Sequence, residues 1–80
     1  MVSKKNQAVL QKFGAHLEKL RRERGLSLRE LSYACSIDNS KISKIEKGLI
    51  NITMITILDL AYGLEISPTD LLNFHKAAVK

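Results

Sequence analysis

The stretch SLRELSYACSIDNSKISKIEKG, residues 27–48, decides the fold of this chain. It opens with SLRE at residues 27–30, a capping box in which the Ser hydroxyl and the Glu carboxylate satisfy backbone N–H groups at a helix start. A short helix is therefore predicted from Ser27 to about Cys35.

A second helix is predicted in the same stretch, after a very short connection. Asp38 or Asn39 can accept the first free N–H groups of this helix, and Gly48 is positioned to end it. Because only residues 36–38 separate the two helices, they must cross at a steep angle. This geometry is that of a helix-turn-helix whose second helix spans about residues 39–47.

A longer helix is predicted before this stretch, from Lys4 to Arg24, with Gly25 as its stop. Its apolar residues recur every three or four positions, which places them on one buried helix face. They are Leu10, Phe13, Leu17 and Leu20.

More helices are predicted after the quoted stretch. The fourth runs from about Thr53 to Tyr62 and is closed by Gly63, and the fifth starts at SPTD, residues 67–70, with an N-cap Ser and a Pro at the first helical position. The β-branched run at residues 50–57 has a strand-like composition, and we interpret it as a loop followed by a helix. Because no segment alternates apolar and polar residues over the length of a strand, the whole chain is predicted to be one all-α domain of five helices.

The composition limits what kind of protein this is. The chain has 80 residues, enough for a single compact domain, and its 13 Lys and Arg against 8 Asp and Glu give a net charge of +5, which favours an acidic partner such as nucleic acid. The longest apolar stretch, residues 52–58, is far shorter than the roughly 20 residues that cross a bilayer, and the first residues lack a signal-peptide pattern. We therefore expect the protein in the cytoplasm and not in a membrane.

Neither an active site nor a metal site is predicted. The single Cys35 cannot form an intramolecular disulfide and, as a free cysteine, is expected in the core. His16 and His75 lie apart from each other and from any Cys or acid at ligand spacing. Because no nucleophile elbow, phosphate loop or paired carboxylates stand out either, we expect no enzyme activity, no metal and no cofactor.

The second helix of the quoted stretch has an outward face suited to reading base pairs. At about 100° per residue, Ile42 and Ile45 lie on one side of this helix and its polar residues on the other. Asn suits adenine, Lys suits guanine and Ser tolerates several bases, so this face combines positive charge with base-reading chemistry. The alternative is an ordinary solvated face, which any amphipathic helix has. The polar residues are Asn39, Ser40, Ser43, Lys44 and Lys47.

Three segments of the chain carry a resemblance to a known family. They are LxxLRxERGLSLRELS at residues 17–32, SKISKIEKG at residues 40–48 and NITMITILDLAYGLEIS at residues 51–67. In spacing, caps and glycines they resemble the helix-turn-helix of Cro and the phage repressors, often called the XRE family. The resemblance implies a five-helix, lambda-repressor-like DNA-binding domain. In size and in its Asn-Ile-Thr entry to the fourth helix, the chain also resembles restriction-modification controller proteins.

The resemblance implies a role for several positions of the motif. Base-reading positions correspond to Asn39, Ser40 and Lys44, and positions that contact the DNA backbone correspond to Ser27, Lys41, Ser43 and Lys47. Arg21 and Glu46 match an ion pair that would join the first helix to the end of the third. Leu28 departs from the family, since a phosphate-binding Gln is common there, and Ser36 replaces a common turn Gly.

The fourth helix is predicted to have more apolar surface than one core can cover, because its apolar residues form separate stripes. The stripe that suits packing on the first three helices consists of Met54, Ile57, Leu60, Ala61 and Leu64. The other stripe consists of Ile55, Leu58 and Tyr62. The positions left for water are Thr56, Asp59 and Gly63.

We predict that a second copy of the chain covers this surplus, so that the protein is a homodimer. The loop after the third helix and the last helix contribute further apolar residues that would otherwise face water. The alternative is that the last helix buries the surplus stripe within one chain. The predicted interface consists of Leu49, Ile50, Ile55, Leu58, Tyr62, Leu72 and Phe74.

The residues support functional hypotheses of different classes. One is a sequence-specific transcriptional regulator that binds a double-stranded DNA operator as a homodimer. The other is an antitoxin or adaptor that uses the same fold to bind a protein, such as a toxin or a polymerase subunit, and it is motivated by the apolar Leu49 and Ile50 and by the last helix. Selection from random duplexes separates the two, because an adaptor should enrich no motif.

Overall fold

Every regular element is a helix in the part of the chain that the structure describes, residues 3–74 of a computed structural model. The elements are α1 (Lys4–Glu23), α2 (Leu28–Cys35), α3 (Asn39–Glu46), α4 (Met54–Leu64) and α5 (Pro68–Leu71). The prediction of an all-α fold with five helices is therefore confirmed. No helix within residues 3–74 has the length and apolar composition needed to cross a membrane. His75, considered above as a metal ligand, lies outside the described residues.

A side chain caps the start of each of these helices. At α2 the predicted capping box is present: the Ser27 hydroxyl accepts the N–H of Glu30 at 3.0 Å, and the Glu30 carboxylate accepts the N–H of Ser27 at 2.8 Å. Asp38, rather than Asn39, caps α3, and its carboxylate accepts the N–H of Ser40 at 3.0 Å. Such caps satisfy N–H groups that a helix cannot bond internally, which is why the helices begin at these residues.

The predicted glycine stops are confirmed for α1 and α3 and wrong for α4. Gly25 and Gly48 adopt left-handed φ angles of 70° and 73° just after their helices, where glycine has no steric penalty. α4 instead continues through Gly63 to Leu64, and Glu65 takes the left-handed position with a φ of 58°. The physical reason is that Gly63 lies inside the helix at a close approach of α2.

α4 packs on α2 along the side that was predicted to face water. A Cβ atom added to Gly63 would lie 2.8 Å from the Cβ atom of Cys35, so the helices approach more closely than a larger side chain would allow. Thr56 on the same side is 7% exposed, whereas Asp59 stays exposed. Met54, predicted to face the core, is 72% exposed. Counting apolar residues was misleading here because close helix packing selects small side chains rather than the most apolar ones.

The core receives a fully buried aliphatic side chain from each of the helices α1 to α5. Removing apolar surface from water contributes about 25 cal/mol per Å², so these residues drive folding. Cys35 lies among them, and burial raises the pKa of its thiol, as expected of a core cysteine rather than a reactive one. The fully buried aliphatic side chains are Leu17, Leu31, Ile42, Ile45, Leu60, Leu64 and Leu71.

The last turn of α3 lies directly on the backbone of α1. A Cβ atom added to Gly14 would lie 2.3 Å from the carbonyl oxygen of Glu46 and 2.5 Å from that of Ile45, which is too close for any side chain. Only glycine therefore allows α1 to support α3 at this point. The sequence pattern did not indicate this contact, because a glycine inside a helix carries no local mark of the neighbour that it touches.

A buried ion pair joins the same two helices. The Nε atom of Arg21 donates to Oε2 of Glu46 at 2.7 Å, Nη2 donates to Oε1 at 3.1 Å, and Nη1 donates to the carbonyl of Leu26 at 2.8 Å. Both charged side chains are 7% exposed. The hydrogen bonds to Glu46 raise the pKa of Arg21, so its guanidinium stays charged although it is buried. The pair that the family resemblance implied is thus present and links α1 to the end of α3.

We predict that Glu46→Ala lowers the free energy of unfolding by about 3 to 5 kcal/mol, because it leaves the Arg21 charge buried without its partner. Urea unfolding followed by circular dichroism measures this change. Glu18→Ala is the matched control, since Glu18 pairs with Arg22 at 2.8 Å with side chains 40% and 68% exposed. Exposed pairs of this kind contribute about 0.3 to 0.5 kcal/mol. Equal losses in the two variants would contradict a structural role for the buried pair.

Candidate nucleic-acid interface

α3 presents a polar surface opposite the side that anchors it. Ile42 and Ile45 point into the core and are fully buried. Of the residues predicted to read bases, Ser40 and Lys44 are exposed and Asn39 is half-buried. The fold therefore leaves the predicted base-reading positions on the outside of α3, with Asn39 the least accessible of them.

The lysines of this surface have no partner within residues 3–74. The side chains of Lys41, Lys44 and Lys47 are exposed and make neither a hydrogen bond nor an ion pair there. Ser43, which was also predicted to contact the DNA backbone, is half-buried. Positive charge that is exposed and not held in an ion pair attracts a polyanion. The outer side of α3 thus has both the chemistry and the charge for a nucleic acid.

A hydrogen-bond arrangement at the start of α3 was not predicted from the sequence. One carboxylate oxygen of Asp38, Oδ2, accepts both the backbone N–H and the side-chain hydroxyl of Ser40. The bond from the hydroxyl, then the backbone bond, and more weakly the charge of Lys44, lower the pKa of Asp38, so that its carboxylate is ionised at neutral pH. The Asp-x-Ser spacing at a helix start is the sequence signal that could have indicated this arrangement.

The first turn of α2 offers polar groups beside this surface. The Ser27 hydroxyl accepts the N–H of Glu30 and keeps its own proton free to donate. Leu28 packs against the core, so the position where the family often has a phosphate-binding Gln provides no donor here. Arg29 is exposed and has no partner within the described residues. The sequence analysis did not name Arg29 as a candidate DNA-backbone contact, although its place in the first turn of α2 could have indicated that role.

The turn between α2 and α3 keeps its conformation without a glycine. Ser36 adopts the left-handed conformation with φ 62° and ψ 26°, and its N–H donates to the carbonyl of Ser32 at 2.9 Å. Ile37 follows and is buried, so the turn is anchored in the core. The predicted short connection between the two helices is therefore present, although Ser replaces the Gly that is common in the family.

α4 presents a separate surface that is apolar and exposed. The exposed fractions of its residues run from 43% for Leu58 to 79% for Tyr62. Because α5 spans only Pro68–Leu71, the last helix leaves this surface uncovered within residues 3–74. We call this surface the α4 face, and it consists of Met54, Ile55, Leu58 and Tyr62.

The other residues predicted for a dimer interface differ in their exposure. Leu49 and Leu72 are exposed. Ile50 and Phe74 pack against the core of their own chain, and the Phe74 ring meets Phe13 edge-on with ring centroids 5.5 Å apart. Ile50 and Phe74 therefore offer less surface to a partner than their sequence positions implied.

Comparisons with known proteins agree with this geometry. Residues 12–74 match the family described as "Helix-turn-helix domain". The uncharacterized HTH-type transcriptional regulator y4dJ of Sinorhizobium fredii is 34% identical over 58 residues, which cover 72% of this chain and 75% of that protein. Among solved structures, the restriction-modification controller protein C.AhdI from Aeromonas hydrophila is 39% identical with a TM-score of 0.78, and the match covers 80% of this chain and 97% of that one. A mutant of the restriction-modification controller protein C.Esp1396I is 28% identical with a TM-score of 0.81, and the match covers 100% of this chain and 98% of that one.

These matches confirm the resemblance to helix-turn-helix regulators and to restriction-modification controller proteins. The family match includes α2, the turn at Ser36, α3 and the helices that hold them in place. The chain therefore belongs to the helix-turn-helix domain family.

Proposed function

We propose that this protein is a transcriptional regulator that binds a double-stranded DNA operator as a homodimer, with α3 in the major groove. The observation that carries this proposal is the outer surface of α3, where polar side chains and lysines without an ion pair are exposed on a helix whose last turn is anchored to α1. In helix-turn-helix proteins the N-terminal half of the second helix enters the major groove, and the first helix crosses the DNA backbone. The relatives named above are a transcriptional regulator and controller proteins, which supports the same function here.

We assign the base contacts to the outer side of α3, from its first turn to Lys44 in its last turn. Lys44 can donate to the acceptors on the major-groove edge of guanine, and the Asn39 amide suits adenine. Ser40 lies four residues before Lys44 and so on the same side of the helix. Because four residues rise about 6 Å along the axis, these side chains would address neighbouring base pairs.

We assign the phosphate contacts to residues that flank this region. Lys41, Lys47 and Arg29 are exposed and unpaired within residues 3–74, and Ser27 has a hydroxyl proton to donate. Ser43 is the remaining residue assigned to phosphate contacts, and its short, half-buried side chain extends less far from the helix. Contacts of this type fix the register and orientation of a protein on the duplex without reading its sequence.

We assign the dimer contact to the α4 face, extended by Leu49 and Leu72. Exposed apolar patches of this kind mark interaction surfaces. In a twofold dimer the same patch of each subunit meets its copy, and the two α3 helices would lie about one DNA turn, roughly 34 Å, apart. An operator-binding protein acts where the chromosome is, so we expect this one in the cytoplasm of a bacterial cell.

We predict that Lys44→Ala lowers affinity for the operator by about 1 to 3 kcal/mol and relaxes preference at one base pair, because a contact to a base edge is lost. Selection from random duplexes, followed by fluorescence anisotropy on the enriched site, measures both effects. Lys19→Ala removes the same charge from an exposed position of α1 and should leave every base preference unchanged. Equal weakening on all sequences would refute the base contact, and enrichment of no motif by the wild type would favour the protein-binding alternative.

Lys47→Ala and Arg29→Ala are each expected to weaken binding to all duplexes alike. Each variant should reduce the slope of log affinity against log salt by about one, because one fewer phosphate is neutralised and fewer counterions are released. Anisotropy titrations at several salt concentrations measure the slope, again with Lys19→Ala as the control. A residue whose removal leaves the slope unchanged does not contact a phosphate.

The wild type should be a dimer at micromolar concentration, and Leu58→Glu should be a monomer, because the substitution would bury an unpaired carboxylate in the α4 face. Sedimentation equilibrium measures both masses. Tyr33→Glu is the matched control, since Tyr33 is 76% exposed on α2 and is not part of the α4 face, so its replacement should leave the dimer intact. A monomeric wild type, or a fully dimeric Leu58→Glu variant, would rule out this interface.

A further inference from the structure

The hydroxyl group of Ser40 is hydrogen-bonded to a carboxylate, which can only accept. Its proton is donated to the Asp38 carboxylate, which also accepts the backbone N–H of Ser40. A hydroxyl has one proton to donate and two lone pairs with which to accept. Because the proton is committed, the exposed oxygen of Ser40 can only accept a hydrogen bond from another molecule.

The Asp38 carboxylate is a stronger acceptor for the Ser40 proton than a neutral group would be. Hydrogen bonds between a hydroxyl and an ionised carboxylate are about twice as strong as those between neutral groups. The Ser40 hydroxyl itself, followed by the Ser40 N–H, lowers the pKa of Asp38, so the acceptor stays charged at neutral pH. Within residues 3–74 no other group bonds to the Ser40 side chain.

We propose that Asp38 is a specificity-determining residue, which restricts Ser40 to accepting a hydrogen bond from a base amino group in the major groove. In that groove adenine offers N6 and cytosine offers N4 as donors, whereas guanine and thymine offer acceptors. Each base pair therefore has one such amino group, on its adenine or its cytosine. Guanine or thymine placed against Ser40 would bring lone pairs together. This selection presupposes the proposed function, in which α3 lies in the major groove.

On one side of α3, Ser40 and Lys44 then require opposite hydrogen-bonding groups from the bases that they contact. Lys44 can only donate and so favours the acceptors of guanine, whereas Ser40 can only accept. The two side chains lie one helical turn apart. A half-site should therefore place an amino-bearing base near Ser40 and a guanine near Lys44.

The first test locates the base pair that Ser40 reads and removes one group from it. Selection from random duplexes with the wild type and with Ser40→Ala identifies the pair whose preference the variant loses. In a second duplex, purine replaces the adenine of that pair, or pyrimidin-2-one replaces the cytosine, which removes only the amino group. The wild type should bind this duplex roughly fivefold to tenfold more weakly, the effect of one lost hydrogen bond. Ser40→Ala should bind both duplexes equally.

The second test separates the hydrogen bond of Asp38 from its charge. Asp38→Asn keeps an oxygen that accepts the Ser40 proton and should keep the dependence on the amino group. Asp38→Gly keeps a residue that is tolerated at a helix N-cap but frees the proton. Ser40 can then donate to an acceptor that remains on the base pair when the amino group is absent. The dependence on the amino group should therefore fall below about twofold, well under the value of one hydrogen bond. Preference at the base pair read by Lys44 should be unchanged in both variants, and circular dichroism checks their folding.

Several results would overturn this role of Asp38. They are equal binding of both duplexes by the wild type, a Ser40→Ala variant that loses no base preference, and an Asp38→Gly variant with undiminished dependence on the amino group. If Asp38→Gly does not fold, the wild type itself decides, because removal of the amino group costs the full fivefold to tenfold only if Ser40 cannot donate to an acceptor that remains on the pair. Failure of the wild type to enrich any motif is a different outcome, because it refutes the proposed function itself.

Discussion

The direction of the recognition surface depends on the contact between α1 and the last turn of α3. α3 has only 8 residues, so its orientation must be set by what it touches. At Gly14 the backbone of α1 meets the carbonyl groups of Ile45 and Glu46, and Arg21 holds the Glu46 side chain through two of its nitrogen atoms. A buried ion pair adds little net stability, but its geometry is strict and breaking it is costly. We infer that its value here is positional, since it admits one orientation of α3 on α1.

The acidic residues at the two ends of α3 bond within the molecule, and its lysines point outward. Glu46 at its C-terminal end is turned inward to Arg21. Asp38 at its N-terminal end is bonded to Ser40, at the helix terminus where a negative charge is favourable. Both carboxylates are thus occupied within the molecule, whereas the lysines on the outer side are unpaired within residues 3–74. The outer side of α3 therefore offers more positive than negative charge to a partner, since Glu46 is turned inward and Asp38 is the carboxylate that stays exposed.

The sequence predicted those features that local interactions determine. Helix starts, and the ends of α1 and α3, follow from caps and glycines that act within a few residues, and these predictions are confirmed. Gly63 had the same local appearance, but its role comes from α2, a neighbour that no local pattern identifies. Arg21 and Glu46 are 25 residues apart, so only the resemblance to a family could pair them. Asp38 and Ser40 are close in sequence, yet which group holds the hydroxyl proton becomes evident only from their geometry.

In the function proposed for this protein, α3 binds a particular DNA sequence through its outer surface. An NMR titration of the isotope-labelled protein with its selected operator duplex tests this most directly. We expect the largest shifts in the amide signals of α3, from Asn39 to Lys44, and of the first turn of α2, with little change around Lys19. A scrambled duplex of equal length should give smaller shifts in a different pattern. Identical shifts with both duplexes, or shifts concentrated on the α4 face, would contradict it.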